Sequence, residues 1–260
     1  MPAAARASFG PGRRPPCPGG AGGTGATCGI QGNRSTHGPV GHRSRLSRSA
    51  TASLLRSHME EFIRGFVGDV TRVMSALPVQ EIARAINVIQ AVYERDGRIY
   101  IFGNGGSLAL ATHWVSDFNK TVFSHNLESH TRRFQAIRLP STEEELSAWA
   151  NDVGYEMVFA GPLQNYLQET DGVIAISSSG NSQNIVKAVE LAKRRNVPVI
   201  GLSGFDGGKL NELADVKIVV QTEKGKYEIV EGIHAVILHL ITKYFQDYFD
   251  HQLARRTAGA

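Results

Sequence analysis

Residues 29–260 contain no cysteine; the only two, Cys17 and Cys28, stand near the start. Most of the chain therefore has neither disulfides nor thiolate metal ligands, which fits a reducing, cytoplasmic compartment. No run of about 18 apolar residues occurs, so no membrane-spanning helix and no membrane partner are expected. Residues 1–58 lack Asp, Glu and Lys but hold eight arginines, a charge of +8; the remainder has 20 basic against 24 acidic residues, or −4. The basic balance thus belongs to the N-terminal stretch. The mildly acidic remainder gives no support for a nucleic-acid-binding face.

Residues 1–58 are also rich in Gly, Pro, Ala and Ser and lack an apolar period, so disorder is expected there. An organellar transit peptide, a flexible basic arm, or a true start at Met59 would each explain such a stretch. The abrupt change at Met59 favours the last. The expected organisation is a tail over 1–58, one folded domain over 59–248 and a short tail over 249–260.

What is present is organised around Ile99–Asp117. A short β-type run, Ile99-Tyr100-Ile101-Phe102, ends in Gly103-Asn104-Gly105-Gly106-Ser107, and a helical pattern then carries His113 and Asp117. Glycines let a backbone turn tightly and approach a ligand, and a helix start presents free N–H groups that suit an anion. His113 and Asp117, four residues apart, share a helix face. No Lys-Ser/Thr follows the glycines, so this is not a Walker A loop, and Leu108 stands where a dinucleotide fingerprint needs its third glycine.

Upstream, Phe62, Phe66, Val70, Val73 and Leu77 give a helical period from Met59 to Leu77; Pro78 breaks it, and a second helix is expected over Val79–Arg95. These two are expected to pair, covering the sheet or another subunit. Downstream, Asn119–Arg133 reads as a polar loop and Phe134–Leu139 as a second strand. Ser141 and Glu144 have the spacing of a capping box. Asn151-Asp152-Val153-Gly154-Tyr155 reads as a candidate site loop. Three further strands are expected at Gly172–Ile176, Val197–Leu202 and Val216–Val220, and a long helix over Tyr227–Tyr248. Strands alternating with helices indicate a parallel sheet covered on both faces, with ligands at the carboxyl ends of the strands.

Two further clusters stand out. Ser177-Ser178-Ser179-Gly180-Asn181-Ser182 lies at a strand-to-helix junction. A single helix cap needs one hydroxyl; four within six residues suit a phosphate held without lysine. The last helix carries Glu228, Glu231, His234 and His239. Glu231 and His239 are two turns apart, roughly 80° around the axis, whereas His234 and His239 are about 140° apart, so at most one of the two histidines is expected in a site.

GNGGSLALATHWVSD, ANDVGYE, ISSSGNSQN and VEGIHAVILHL, in this order and spacing, resemble the sugar isomerase (SIS) family, and within it the phosphoheptose isomerases, over residues 59–248. The resemblance implies a three-layer α/β domain with a five-stranded parallel sheet and an N-terminal helical pair, assembled as a homotetramer with sites at subunit interfaces. It implies isomerisation of sedoheptulose 7-phosphate, a phosphorylated seven-carbon sugar, to a manno-heptose 7-phosphate through an enediol. The family's phosphate-binding residues fall on Ser107, Ser177, Ser179 and Ser182, with Ser178 in the same loop and Asn104 and Gly105 beside it. Its Asn-Asp substrate segment matches Asn151-Asp152, and Glu228 lies where it has an acid near the sugar. Its metal and acid/base positions match His113, Asp117, Glu231 and His239, implying one zinc ion per subunit. Relatives often have Glu at the second of these and Gln at the third; here they are Asp117 and Glu231. Asp117 is expected as base and His239 as acid, the opposite assignment staying open. Some family members bind sugar phosphates only as regulators, and one relative is an adaptor for a replication initiator. The joint presence of His113, Asp117, Glu231 and His239 favours an enzyme.

Overall fold

The computed structural model of the protein describes residues 45–125 and 132–258, with side chains over 52–125 and 132–255. Expectations for residues 1–44 lie outside these. The chain divides into two compact units, Met1–Thr51 and Ala52–Ala260. The described part of the first, residues 45–51, is helical; apart from the start of that helix, everything below concerns the second.

Five strands form one sheet: β1 (Arg98–Gly103), β2 (Gln135–Arg138), β3 (Gly172–Ser177), β4 (Val199–Gly204) and β5 (Val216–Val220). The order is β2-β1-β3-β4-β5 and every pairing is parallel. Alternation along the strands explains why both faces are covered. Ile99, Ile101, Ile174, Ile176, Ile200 and Leu202 face one side, where α2 (Val79–Glu94), α3 (Gly106–Asn119) and α8 (Tyr227–Ala258) bury their apolar stripes. Tyr100, Phe102, Val173, Ala175 and Val199 face the other, under α5 (Ala160–Tyr166), α6 (Gln183–Arg194) and α7 (Gly208–Leu213). α4 (Glu143–Asp152) packs at the edge of that layer through Leu146 and Trp149. Because β1 lies between β2 and β3, the chain leaves β1 and β3 in opposite directions. Their carboxyl ends form the switch point of the sheet, where a crevice opens.

Among the described residues the five strands and eight helices follow the expected pattern, with shifts at the ends. α1 runs over Arg45–Ser75 rather than beginning at Met59. No Gly or Pro stands between Arg45 and Ser57 to stop it, and an exposed helix needs no apolar period. α8 likewise continues past Tyr248 to Ala258. α2 lies on the sheet, whereas α1 docks through its last turns, burying Val73 and packing Val70 and Met74 on the core. Asn119–Arg133 is less of a loop than its polarity suggested: α3 reaches Asn119, and a 3₁₀ turn over Thr121–Phe123 buries Val122 and Phe123. The capping box is one residue later than expected. Thr142 Oγ1 accepts from the Glu145 amide, and the Glu145 carboxylate accepts from the Ser141 amide at 2.7 Å.

Candidate active site

The loop after β1 and the loop after β3 meet at the switch point. Asn104 and Asn184 join them through a reciprocal amide pair, Asn104 Nδ2 to Asn184 Oδ1 at 2.9 Å and Asn184 Nδ2 to Asn104 Oδ1 at 2.8 Å. Tyr155 Oη donates to the same Asn104 Oδ1 at 2.9 Å. A cavity of about 130 Å³ lies here, lined by Asn104, Ser107, the four serines 177, 178, 179 and 182, Tyr227 and Glu231. A wider cleft of about 620 Å³ is lined by Asn104, Tyr155, Glu156, Ser182, Gln183, Asn184 and Lys187, so it shares Asn104 and Ser182 with the cavity.

The fold uses the serine hydroxyls only lightly: Ser179 Oγ accepts a long 3.3 Å bond from the Asn181 amide. Ser182 is the N-cap residue of α6, yet its side chain makes no capping hydrogen bond. Its hydroxyl is instead the acceptor of a long 3.3 Å contact from Ser177 Oγ. Ser178 Oγ is buried without a partner. α3 also starts without a side-chain cap. Two helix N-termini thus leave their first N–H groups and several hydroxyls around one small cavity, an arrangement suited to a tetrahedral oxyanion. Two glycines make it possible. Gly180 has φ +65°, where a side chain is strained, and a Cβ on Gly106 would lie 2.5 Å from Glu231 Oε2.

A second cluster lies further along α3 and α8. Gly106 meets Glu231 near the start of both helices, and Asp117 meets His239 further on, so the two run side by side in the same direction. Asp117 Oδ2 stands 3.9 Å from His113 Nε2 and 3.6 Å from His239 Nδ1, and the two imidazole rings meet edge to face at 4.9 Å. Asp117 is buried while both histidines reach solvent. One ligand atom from each of the three lies within 4.8 Å of the others.

Glu231 is not part of this cluster, although the four were expected together. Eight residues along α8 correspond to roughly 12 Å of rise, and its carboxylate belongs to the serine cavity instead. Asn151 and Asp152 are likewise not in a loop. They form the exposed last turn of α4, bonded to each other at 2.7 Å, and do not line either cavity. Glu228 is exposed in the first turn of α8. Of the two histidines singled out on that helix, His234 and His239, only His239 is in the cluster. His234 is fully buried, its Nε2 donating to the Ser203 carbonyl at 3.1 Å, and burial pulls its pKa from 6.5 to about 4. Asn184 and Lys187 were not singled out from the sequence, and Tyr155 only as the end of the candidate loop at Asn151. Tyr155 and Asn184 nevertheless stand inside the ANDVGYE and ISSSGNSQN stretches, and only the folded chain shows them turned toward Asn104.

A parallel α/β sheet with a lysine-free hydroxyl cavity at its switch point, and an imidazole–carboxylate cluster on the neighbouring helices, has the layout of an α/β domain that takes an anionic ligand at the carboxyl ends of its strands. The SIS domain family matches residues 65–204. The phosphoheptose isomerase of Helicobacter pylori strain P12 is 32% identical over 169 residues, 65% of this chain and 84% of that protein. That of Leptospira biflexa is 34% identical over 189 residues, 73% of this chain and 92% of that protein. The solved structure of phosphoheptose isomerase from Neisseria gonorrhoeae superposes with a TM-score of 0.64 at 24% identity, covering 73% of this chain and 99% of that one, and shows the shared fold. The chain belongs to the SIS domain family and, within it, to the phosphoheptose isomerases.

Proposed function

We propose that the protein interconverts sedoheptulose 7-phosphate and a manno-heptose 7-phosphate. The observation that carries this reading is the convergence of His113, Asp117 and His239 from helices far apart in sequence, beside a serine-lined cavity where Ser182 leaves its helix uncapped and Ser178 Oγ has no partner. The phosphate lies against Ser107, Ser177, Ser179 and Ser182 and the N-termini of α3 and α6. The sugar extends along α3 and α8 so that its carbonyl end reaches the imidazole–carboxylate cluster. Asp117 Oδ2 removes the proton from the carbon beside the carbonyl, and His239 donates to the carbonyl oxygen. The enediol collapses when Asp117 returns the proton to the neighbouring carbon and the hydroxyl that becomes the new carbonyl gives its proton back to His239.

The donor set suits zinc. Two imidazole nitrogens and a carboxylate oxygen around a tetrahedral ion with bonds of about 2.0–2.1 Å would lie roughly 3.4 Å apart, close to the 3.6 and 3.9 Å separations here. Three protein ligands would leave the fourth position open, and an ion held there would polarise the sugar's oxygens. Assembly as a homotetramer is supported by apolar residues left exposed on α1, among them Phe62, Ile63, Phe66 and Val67, and by Val236 and Leu240 flanking His239 on α8. The same flanking supports a site close to a subunit interface. Among the described residues no helix is long and apolar enough to cross a membrane; a cytoplasmic location fits the composition. A purely regulatory or adaptor role is not favoured, because it would not require the three convergent donors.

The test is turnover of sedoheptulose 7-phosphate together with exchange of its C1–C2 protons with solvent. His239→Ala should lose about 10²–10⁴ in rate while inorganic phosphate still competes for binding, and chelation should mimic it in a zinc-reversible way. A wild-type protein that binds the sugar but never exchanges its protons would refute the isomerase.

A further inference from the structure

We propose that Thr121 is the positioning residue for Asp117, fixing which carboxylate oxygen the site receives. The inference rests on the isomerase reading for its kinetic test but not for its geometry. Thr121 begins the 3₁₀ turn that follows α3, and its Oγ1 donates to Asp117 Oδ1 at 3.0 Å. Oδ2, the other oxygen, is the one that faces His113 and His239. A carboxylate on a short side chain can rotate about its terminal bond; tying Oδ1 holds Oδ2 toward the imidazoles.

Ordinary helix chemistry does not account for this bond. A Ser or Thr four residues along a helix usually returns its hydroxyl to the backbone carbonyl. Thr71, Ser75 and Thr112 all do so here, to Val67, Thr71 and Leu108. Thr121 has the same spacing to Asp117 but bonds the side chain. Its own backbone is held from α8. Gln246 Nε2 donates to the Thr121 carbonyl at 3.3 Å, and Ser124 Oγ accepts from the same amide at 3.4 Å. Gln246 is two turns beyond His239, on the same face of α8. One helix therefore supplies an imidazole to Asp117 and also anchors the turn that aims Asp117 at it. The carboxylate then offers the site a single, fixed atom, Oδ2.

Thr121→Val keeps the shape and removes the hydroxyl; Thr121→Ser restores it. Partners that orient a ligating or catalytic group typically contribute about 10–100-fold. The valine variant should lose kcat by about that factor, with KM and inorganic phosphate affinity unchanged, since the serine cavity is separate. Its zinc affinity, read on substrate-free protein against a competing chelator, should fall by a similar factor, and Thr121→Ser should recover both. Unchanged kcat and zinc affinity in Thr121→Val would overturn the proposal. So would parallel losses of phosphate affinity and thermal stability that serine does not rescue, because these mark a merely structural residue. A crystal structure of Thr121→Val decides independently of turnover: a rotated Asp117 carboxylate is expected, and an unmoved one refutes the assignment. If the wild type fails to isomerise the sugar, the functional reading falls while this last measurement still judges Thr121.

Discussion

Lowering the pH should destabilise the protein through one residue, His234. It sits on α8 against β4, fully buried, with Nε2 committed to the Ser203 carbonyl and Nδ1 buried without a partner. Burial disfavours the imidazolium and pulls the pKa from 6.5 to about 4. The unfolded chain takes up this proton near pH 6.5, but the folded chain does so only near 4. The stabilisation is therefore complete above about pH 6.5, falls as the pH drops toward 4, and is gone below that. At about 1.36 kcal/mol per pH unit, the gap between 6.5 and about 4 amounts to about 3 kcal/mol in full, of which about 2 kcal/mol is lost by pH 5. The assay is urea unfolding of the wild type and of His234→Gln at fixed protein concentration, between pH 8 and pH 5. Glutamine keeps a donor for Ser203 and removes the titration, so the other histidines cancel in the difference. The variant starts from a lower stability, but its curve should be flatter by about 2 kcal/mol over this range. Parallel curves would refute the buried-neutral assignment.

Three other outcomes follow from packing and hydrogen bonding. Asp171 is buried and accepts from the amides of Arg98 and Gln168 at 2.8 and 2.7 Å, so Asp171→Ala should cost about 2–5 kcal/mol by stranding both donors, measured by chemical denaturation. Gly180→Ala meets a positive φ and the Gly207 carbonyl together; a loss of at least about 1–2 kcal/mol is expected, and an unchanged melting temperature would contradict the backbone described here. The double variant Ser179→Ala with Ser182→Ala should weaken inorganic phosphate by about 1–3 kcal/mol in calorimetry, whereas unchanged affinity would return these hydroxyls to a purely local role.

The sheet and the Gly and Ser loops were legible because periodicity and turn chemistry are local. β1 is written in Ile99–Phe102 and β3 in Gly172–Ile176, and each run is followed at once by the residues that line the cavity. The pairing of His113 with Asp117 is also local, four residues on one helix. Joining them to His239 needed the family resemblance, since no spacing in the sequence relates two helices more than a hundred residues apart. The same limit explains Glu231. Helix periodicity put it on roughly the face of His239, but the depth at which α8 passes α3 decides which cluster it meets, and that is a property of packing. Asn151 and Asp152 were misplaced by their polarity, which a helix end satisfies as well as a loop does. The start of α1 escapes periodicity for a related reason: an apolar stripe marks only the part of a helix that packs, whereas residues 45–57 are helical simply without a Gly or Pro to break them.

Ser182 begins α6 without capping it, and this bears on the lifetime of the protein as well as on its chemistry. An oxyanion seated there supplies the acceptors that the helix lacks, so the metabolite becomes part of the native state's free energy. At a hundred times its dissociation constant, such a ligand adds about 2.7 kcal/mol. Cells short of sugar phosphate would hold more of the open form, and quality-control proteases act on that form. Supply of the metabolite would then set how much of the protein survives, without any dedicated sensor.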